Sequence, residues 1–336
     1  MTIFVTGGAG YIGSHTILKL LESGYDVVAA DNFSNSKPES ITRVKQLAGR
    51  DFPFYEMDVR DSGGLDRVFS EHGAECIIHF AGLKAVGESV GKPLEYYANN
   101  LNSTIALCGA MKKYDVRKFI FSSSATVYDA NDIMPLSEDS LTGGCLNPYG
   151  WTKFMCEQIL MDTAAANDGW SVALLRYFNP IGAHESGRIG EDPQGVPNNL
   201  MPYIAQTAVG KLPFLSVFGD DYDTPDGTGV RDYIHVADLA AGHVSAIKHL
   251  EQHPGVSVFN LGTGKGVSVL ELVRAFEEAT GVSIPKKIAP RRPGDPAICY
   301  AATDKAKQAL GWEAKKTVYD ACADAWNWQK NNPDGY

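Results

Sequence analysis

The chain has no apolar run approaching the roughly 18 residues that a membrane-spanning helix requires. Its greasiest stretches, such as Ile77 with Ile78 and residues 171–175, are short and bounded. It also lacks any block of like charge. Forty acidic residues against 30 basic ones leave a net charge of −10, with no basic stripe along which a nucleic acid could lie. Cysteine is sparse. The six residues, at 76, 108, 145, 156, 299 and 322, form no C-x-x-C pair and have no histidine at zinc spacing, so neither a metal site nor a disulfide framework is expected. Residues 1–5 carry neither the basic flank nor the small-residue cleavage site of a signal peptide. The expectation is a soluble, cytoplasmic protein with neither membrane nor nucleic acid among its partners.

What is present has the texture of an ordinary globular chain. Its 336 residues amount to about two domains, and 44% hydrophobic against 21% charged residues is enough to bury a core without a metal or disulfide. Residues 2–6 form a short β-branched run, and Ile17, Leu20 and Leu21 make a helical stripe that stops at Gly24. Residues 26–30, 75–80, 118–121 and 171–175 are nearly continuous in apolar character, as parallel strands covered on both faces should be. Strands separated by helical patterns predict right-handed βαβ units and an α/β fold built on a doubly wound parallel Rossmann sheet. From about residue 177 the rhythm breaks at Pro180, Pro193, Pro197, Pro202, Pro213, Pro225 and Pro254. We expect a dinucleotide-binding domain over 1–177 and a smaller, mixed α/β substrate domain over 178–336. Some segments, notably 256–261, look able to rejoin the large sheet.

Directly after the first strand comes a glycine-rich loop, GGAGYIG, over residues 7–13. Gly7, Gly10 and Gly13 allow a turn tight enough to aim a helix N-terminus at a pyrophosphate and let the phosphate touch backbone. The strand before and the helix after meet the structural context that this motif needs. Asp31 ends the second strand, 18 residues past Gly13, where an acid can accept the adenosine ribose hydroxyls and repel the extra phosphate of NADP. NAD is therefore the expected cofactor. Asp58, after a strand at 54–57, is placed to meet the adenine.

Tyr149 and Lys153 stand four residues apart at the start of a helix opened by Pro148, so they share one face. An ammonium near a phenol should favour the phenolate, lower the tyrosine pKa and create a general base. Ser124 closes the run of three serines after the strand at 118–121, at a sheet end where ligands bind.

A glycine loop, a strand-end serine and Tyr-x-x-x-Lys in this order resemble the extended short-chain dehydrogenases/reductases. The stretches HFAGLKAVGES at 79–89, FSSSATVY at 121–128, LRYFNP at 175–180 and GVRDYIHV at 229–236 are more specific, and resemble the UDP-glucose 4-epimerase family from residue 1 to about 330. The resemblance implies a homodimeric isomerase of galactose metabolism that inverts C4 of a UDP-sugar through a transient 4-keto sugar. It implies that Tyr149 takes the 4-hydroxyl proton, that Ser124 hydrogen-bonds the same oxygen, and that Lys153 holds the nicotinamide ribose. It further assigns Tyr11, Ile12, Asp31, Asn32, Asn35, Ser36, Asp58, Val59, Phe80, Ala81, Lys84, Asn99 and Phe178 to NAD. Asn179, Asn199, Leu200, Ser216, Phe218, Arg231, Arg292 and Asp295 are assigned to the UDP-sugar, two arginines suiting an anchored diphosphate. Cys299 occupies a place that in this family lies against the sugar 2-position and holds either tyrosine or a small residue. Its size implies room for an N-acetyl group, and hence activity on UDP-N-acetylglucosamine as an alternative or additional substrate.

Two rival readings are weaker. A dehydratase of the same superfamily needs an Asp-Glu pair beside the strand-end hydroxyl, where this chain has Ala125 and Thr126. A non-catalytic NAD sensor or scaffold on the same fold has no need of a Tyr-Lys pair. Asp129 and Trp151 depart from the family pattern, which bears on loop conformation rather than chemistry.

Overall fold

The structure, a computed structural model, describes residues 1–336 apart from 130, 131, 196, 198, 293 and 294. The first half runs β1 (Thr2–Thr6), α1 (Tyr11–Glu22), β2 (Asp26–Asp31), α2 (Pro38–Ala48), β3 (Phe54–Glu56) and α3 (Ser62–His72). It continues through β4 (Cys76–His79), α4 (Val86–Gly91), α5 (Pro93–Tyr114), β5 (Lys118–Ser124), α6 (Pro148–Ala165) and β6 (Ser171–Tyr177). The second half is made of shorter pieces: β7 (Asn179–Ile181), α7 (Leu200–Ala208), β8 (Leu215–Phe218), β9 (Val230–Arg231) and β10 (Tyr233–His235). Then come α8 (Val236–Leu250), β11 (Gly255–Leu261), β12 (Val267–Ser268) and α9 (Val269–Thr280). The chain ends with β13 (Lys286–Ala289), β14 (Ile298–Cys299), α10 (Asp304–Leu310) and α11 (Val318–Asn331).

Seven strands form one all-parallel sheet in the order β11-β6-β5-β4-β1-β2-β3. The centres of its inner strands are apolar because both faces are buried there. Ile3, Val5, Val27, Ala29, Ile78, Ile120 and Leu175 point to one core, shared with α1 and α8. Their neighbours Phe4, Val28, Ile77, Phe119, Phe121, Val172 and Leu174 point to the other, shared with α3, α5 and α6. The strand order reverses between β1 and β4, which opens a crevice at their C-terminal ends.

The seventh strand comes from beyond residue 178. β11 pairs with β6 from Gly255 beside Ser171 to Leu261 beside Tyr177, as the texture of 256–261 anticipates. A third core, around Ile204, Val217, Leu272, Phe276 and Ala325, holds the shorter elements together. No helix among the described residues is long and apolar enough to cross a membrane.

Candidate active site

On the β1–β3 side of the crevice the site is made of backbone. Gly7 has a φ of 68°, and a Cβ there would stand 2.6 Å from the Ala81 nitrogen, a main-chain atom with nowhere to move. At Gly13 a Cβ would lie 2.2 Å from the Gly7 carbonyl oxygen. Only glycine lets the loop, the first turn of α1 and the segment after β4 close on one another. The N-cap of α1 is Gly10, with no capping side chain and no acid in the first turn, so the free N–H groups and the helix dipole remain for an anion. The Tyr11 hydroxyl is tied to the Gly182 carbonyl at 2.7 Å, and Ile12 packs against the core. This cradle fits a dinucleotide pyrophosphate.

Asp31 is buried at the end of β2. Its Oδ2 accepts from Ala9 N at 3.0 Å, and its Oδ1 accepts from Phe33 N at 2.9 Å and Ser36 Oγ at 2.8 Å. These use three of a carboxylate's roughly four acceptor positions, so Asp31 both fastens the glycine loop to β2 and keeps capacity for a hydroxyl. Asp58 is held by Arg60 at 2.6 and 2.9 Å, which draws its pKa below the usual carboxylate range, and the Asn32 amide lies 3.5 Å away. Asn35 is exposed in the same loop as Asn32, and Val59, next to Asp58, is buried. Beyond β4, the Phe80 ring packs 4.9 Å from that of His243, Lys84 pairs with Glu191 at 3.3 Å, and Asn99 donates to Asn100 at 3.0 Å.

At the C-terminal end of β5 the structure joins Ser124, Tyr149 and Lys153. Asn147 caps α6 by accepting from Gly150 N at 2.9 Å, and Pro148 opens the helix, which sets Tyr149 and Lys153 on its inner face. Ser124 Oγ accepts from Thr126 N at 3.2 Å and Thr126 Oγ1 at 3.0 Å, leaving its own proton to donate to the Tyr149 oxygen. Lys153 Nζ donates to the Ser122 carbonyl at 2.6 Å and lies 5.9 Å from the centre of the Tyr149 ring. The electrostatics correct the sequence expectation that Lys153 depresses the tyrosine. Burial pushes the Tyr149 phenol up to about 12, opposed only by the Ser124 hydrogen bond. Burial also pushes Lys153 down to about 8. The ammonium spends its bond on a carbonyl, and desolvation of the phenol sets the direction of the shift.

The residues expected to serve the UDP-sugar are held by side chains. Arg231 on β9 pairs with Asp295 and donates to the Val230 carbonyl at 2.7 Å. Cys299 on β14 stands beside it in parallel register. Arg292 lies over the Phe218 ring at 4.0 Å, and Ser216 sits two residues earlier on β8, paired with Lys287. Cys299 is partly buried against a small cluster containing Phe178, Tyr128, Leu136 and Ala301. Asn179 begins β7, while Asn199 and Leu200 open α7.

Residues 3–262 match the NAD dependent epimerase/dehydratase family. The whole chain is 60% identical over 336 residues to the UDP-glucose 4-epimerase of Bacillus subtilis (strain 168), an alignment spanning 100% of this chain and 99% of that one. The chain belongs to the UDP-glucose 4-epimerase family. A crystal structure of the family member from Bifidobacterium longum, in complex with NAD+ and UDP, superposes with a TM-score of 0.97 at 56% identity and covers 100% of both chains. The UDP-Glc/GlcNAc 4-epimerase of Campylobacter jejuni superposes with a TM-score of 0.85 at 37% identity, covering 98% of this chain and 99% of that one.

Within this family framework, three charged residues of the site went unread in the sequence. Glu191 accepts from Lys84 at 3.3 Å and Asn199 at 2.9 Å, linking a residue assigned to the cofactor with one assigned to the sugar. It lies in a loop without periodicity, where nothing local marks it. Glu157 and Arg176 form a buried ion pair behind α6. The i,i+4 spacing of Glu157 from Lys153 is a signal that could have found it.

Proposed function

We propose that the protein interconverts UDP-glucose and UDP-galactose by inverting C4, using NAD held through the cycle. The observation that carries this reading is the Tyr149 oxygen, hydrogen-bonded by Ser124 and backed by Lys153, at the mouth of the glycine-loop crevice. Tyr149 takes the proton of the 4-hydroxyl, and Ser124 holds the same oxygen. When bound, NAD supplies the hydride acceptor for one half-reaction and the donor for the other, and its cationic ring favours an ionised phenol that burial alone disfavours. Lys153, held at the Ser122 carbonyl, would hold the cofactor ribose. Arg231 and Arg292 anchor the diphosphate while the keto-sugar turns, so that hydride returns to the other face of C4 as Tyr149 gives its proton back to the C4 oxygen. The division near residue 177 into a cofactor half and a UDP-sugar half belongs to the same proposal.

The remaining site assignments follow the crevice. Gly7, Gly10, Gly13, Tyr11, Ile12, Asp31, Asn32, Asn35, Ser36, Asp58, Val59, Phe80, Ala81, Lys84, Asn99 and Phe178 serve the cofactor. Asn179, Asn199, Leu200, Ser216, Phe218, Asp295 and Cys299 serve the sugar nucleotide. The deciding assay supplies UDP-galactose without added NAD and looks for UDP-glucose; no product from folded, NAD-containing protein would refute the reading. The small Cys299 side chain supports a second activity on UDP-N-acetylglucosamine. Cys299→Tyr should lower that activity about tenfold relative to UDP-glucose, since overfilling a pocket costs ~1–3 kcal/mol. Equal ratios in the two proteins would exclude Cys299 as the gate.

We also propose a cytoplasmic homodimer. Leu94 and Ile105 lie exposed on α5, and Val86 and Val90 on the adjoining α4, an apolar surface suited to a second copy. All six cysteines are unpaired thiols, which suits a reducing compartment.

A further inference from the structure

The most deeply buried ion pair among the described residues lies behind α6. Arg176 on β6 donates to Glu157 through Nε at 3.0 Å and through Nη2 at 2.7 Å. Ser123 Oγ donates to the same carboxylate at 2.5 Å. The guanidinium also covers the Tyr128 ring at 4.7 Å, with Nη1 left without a hydrogen-bond partner. The Tyr128 hydroxyl donates to Asn260 Oδ1 at 2.6 Å, and the Asn260 amide donates to the Leu136 carbonyl at 2.8 Å. Leu136 in turn is bonded to Tyr300 and Ala302, which follow Cys299.

Stability does not account for such a pair, because apolar residues of equal volume often do as well or better in a core. Its placement does. Residues 149, 153 and 157 recur at four-residue spacing on one face of α6, and each meets one of three consecutive residues of β5. Tyr149 takes the Ser124 hydroxyl, Lys153 the Ser122 carbonyl and Glu157 the Ser123 hydroxyl. Arg176 is the direct cross-strand neighbour of Ser123. We infer that Glu157, Arg176 and Ser123 are positioning residues, whose buried ion pair and hydrogen bond fix the Tyr149–Lys153 face of α6 against β5. Tyr128 and Asn260 carry the same register to the segment bearing Cys299. This rests on the reading of Tyr149 and Lys153 as the catalytic pair.

The test compares Tyr149→Phe, Ser123→Ala and Glu157→Gln, each checked for native circular dichroism. Ser123→Ala, which leaves the ion pair in place, should lower kcat about 5–10-fold with KM nearly unchanged. Glu157→Gln should lower kcat about 30-fold or more and speed the loss of NAD during gel filtration. It should also shift the alkaline limb of the kcat–pH profile to lower pH, because Lys153 loses a nearby anion that supports its ammonium. The other titratable groups around this centre are Tyr149 and Cys156 on α6, Cys145 before that helix, Tyr128 beyond β5, His79 on β4, and Arg176 and Tyr177 on β6. Arg176→Lys, which keeps the charge, should retain more turnover than Arg176→Met. If Tyr149→Phe stays active, the catalytic reading itself fails. If Tyr149→Phe is dead while Ser123→Ala and Glu157→Gln keep the wild-type kcat and pH profile, the positioning role is overturned. A raised KM with an unmoved pH limb also overturns it. Should Glu157→Gln not fold, Ser123→Ala decides alone.

Discussion

The two regions to which cofactor and sugar are assigned are built from different materials. Around β1 and α1 the main chain forms the surface, with Gly7 and Gly13 packed so closely that a methyl group would strike backbone. Around β8, β9 and β14 side chains form it, and they hold one another: Arg231 with Asp295, Arg292 with Phe218, Asn199 with Glu191. A backbone-built wall is preformed and cannot adjust. A side-chain wall can exchange partners, and on the proposed reading a diphosphate replaces Asp295 on Arg231. The first suits a group that stays bound, and the second suits one that must enter, turn and leave.

The sharpest probe of this contrast is the seam between the walls. Tyr149→Phe should lower kcat by about 10²–10⁴-fold, as loss of a general base does, while NAD retention and UDP-sugar binding persist. Steady-state kinetics beside binding isotherms check it; a loss under tenfold in folded protein sinks the role. Next in size is Gly7→Ala, which adds a Cβ at positive φ against Ala81. Strain of ~1–3 kcal/mol should weaken cofactor retention about tenfold or more, read as NAD recovered after gel filtration. Retention at the wild-type level would show that this wall does adjust. Arg231→Lys should raise KM for the UDP-sugar about 5–30-fold and leave NAD retention untouched, because lysine cannot grip a diphosphate with two parallel bonds. An effect on NAD instead would erase the division of labour.

The smallest expected effect concerns the seam's stability. Burial holds Lys153 down to about 8 in the fold, against its ordinary value of 10.5. Between those values the unfolded chain binds the extra proton, so the lysine lowers stability below pH 8 and that cost fades as pH rises through the window. Lys153→Met should therefore raise Tm by about 2–4 °C at pH 7, with a smaller gain at pH 9.5, while turnover falls. A lower Tm at pH 7 would show that the bond to Ser122 outweighs desolvation.

Legibility in the sequence followed the same boundary. The strands of the large sheet could be read because burial on both faces leaves an unbroken apolar run, and Tyr149 with Lys153 because four-residue spacing is a helical rule. β9, β12 and β14 have two residues each, too few for any period to show. The partners of Arg231 and Glu191 are set by tertiary approach across 64 and 107 residues, which no local pattern records. The direction of the Tyr149 shift was missed for a related reason. Spacing reveals which charge is near, whereas desolvation depends on everything else packed around the group.

The edge position of β11 has a consequence for how the protein is made. β6 is complete at residue 177, but its outer partner begins only at residue 255, a gap of 78 residues. At about 5–20 residues per second, the ribosome takes roughly 4–16 s to supply it. Throughout that interval a nascent chain carries an apolar strand with unpaired backbone groups, the kind of edge that recruits other strands. Synthesis speed across this stretch, and any chaperone that shields it, should therefore govern soluble yield. A chimera that grafts a foreign sugar-binding half onto this sheet must keep residues 236–261 with it.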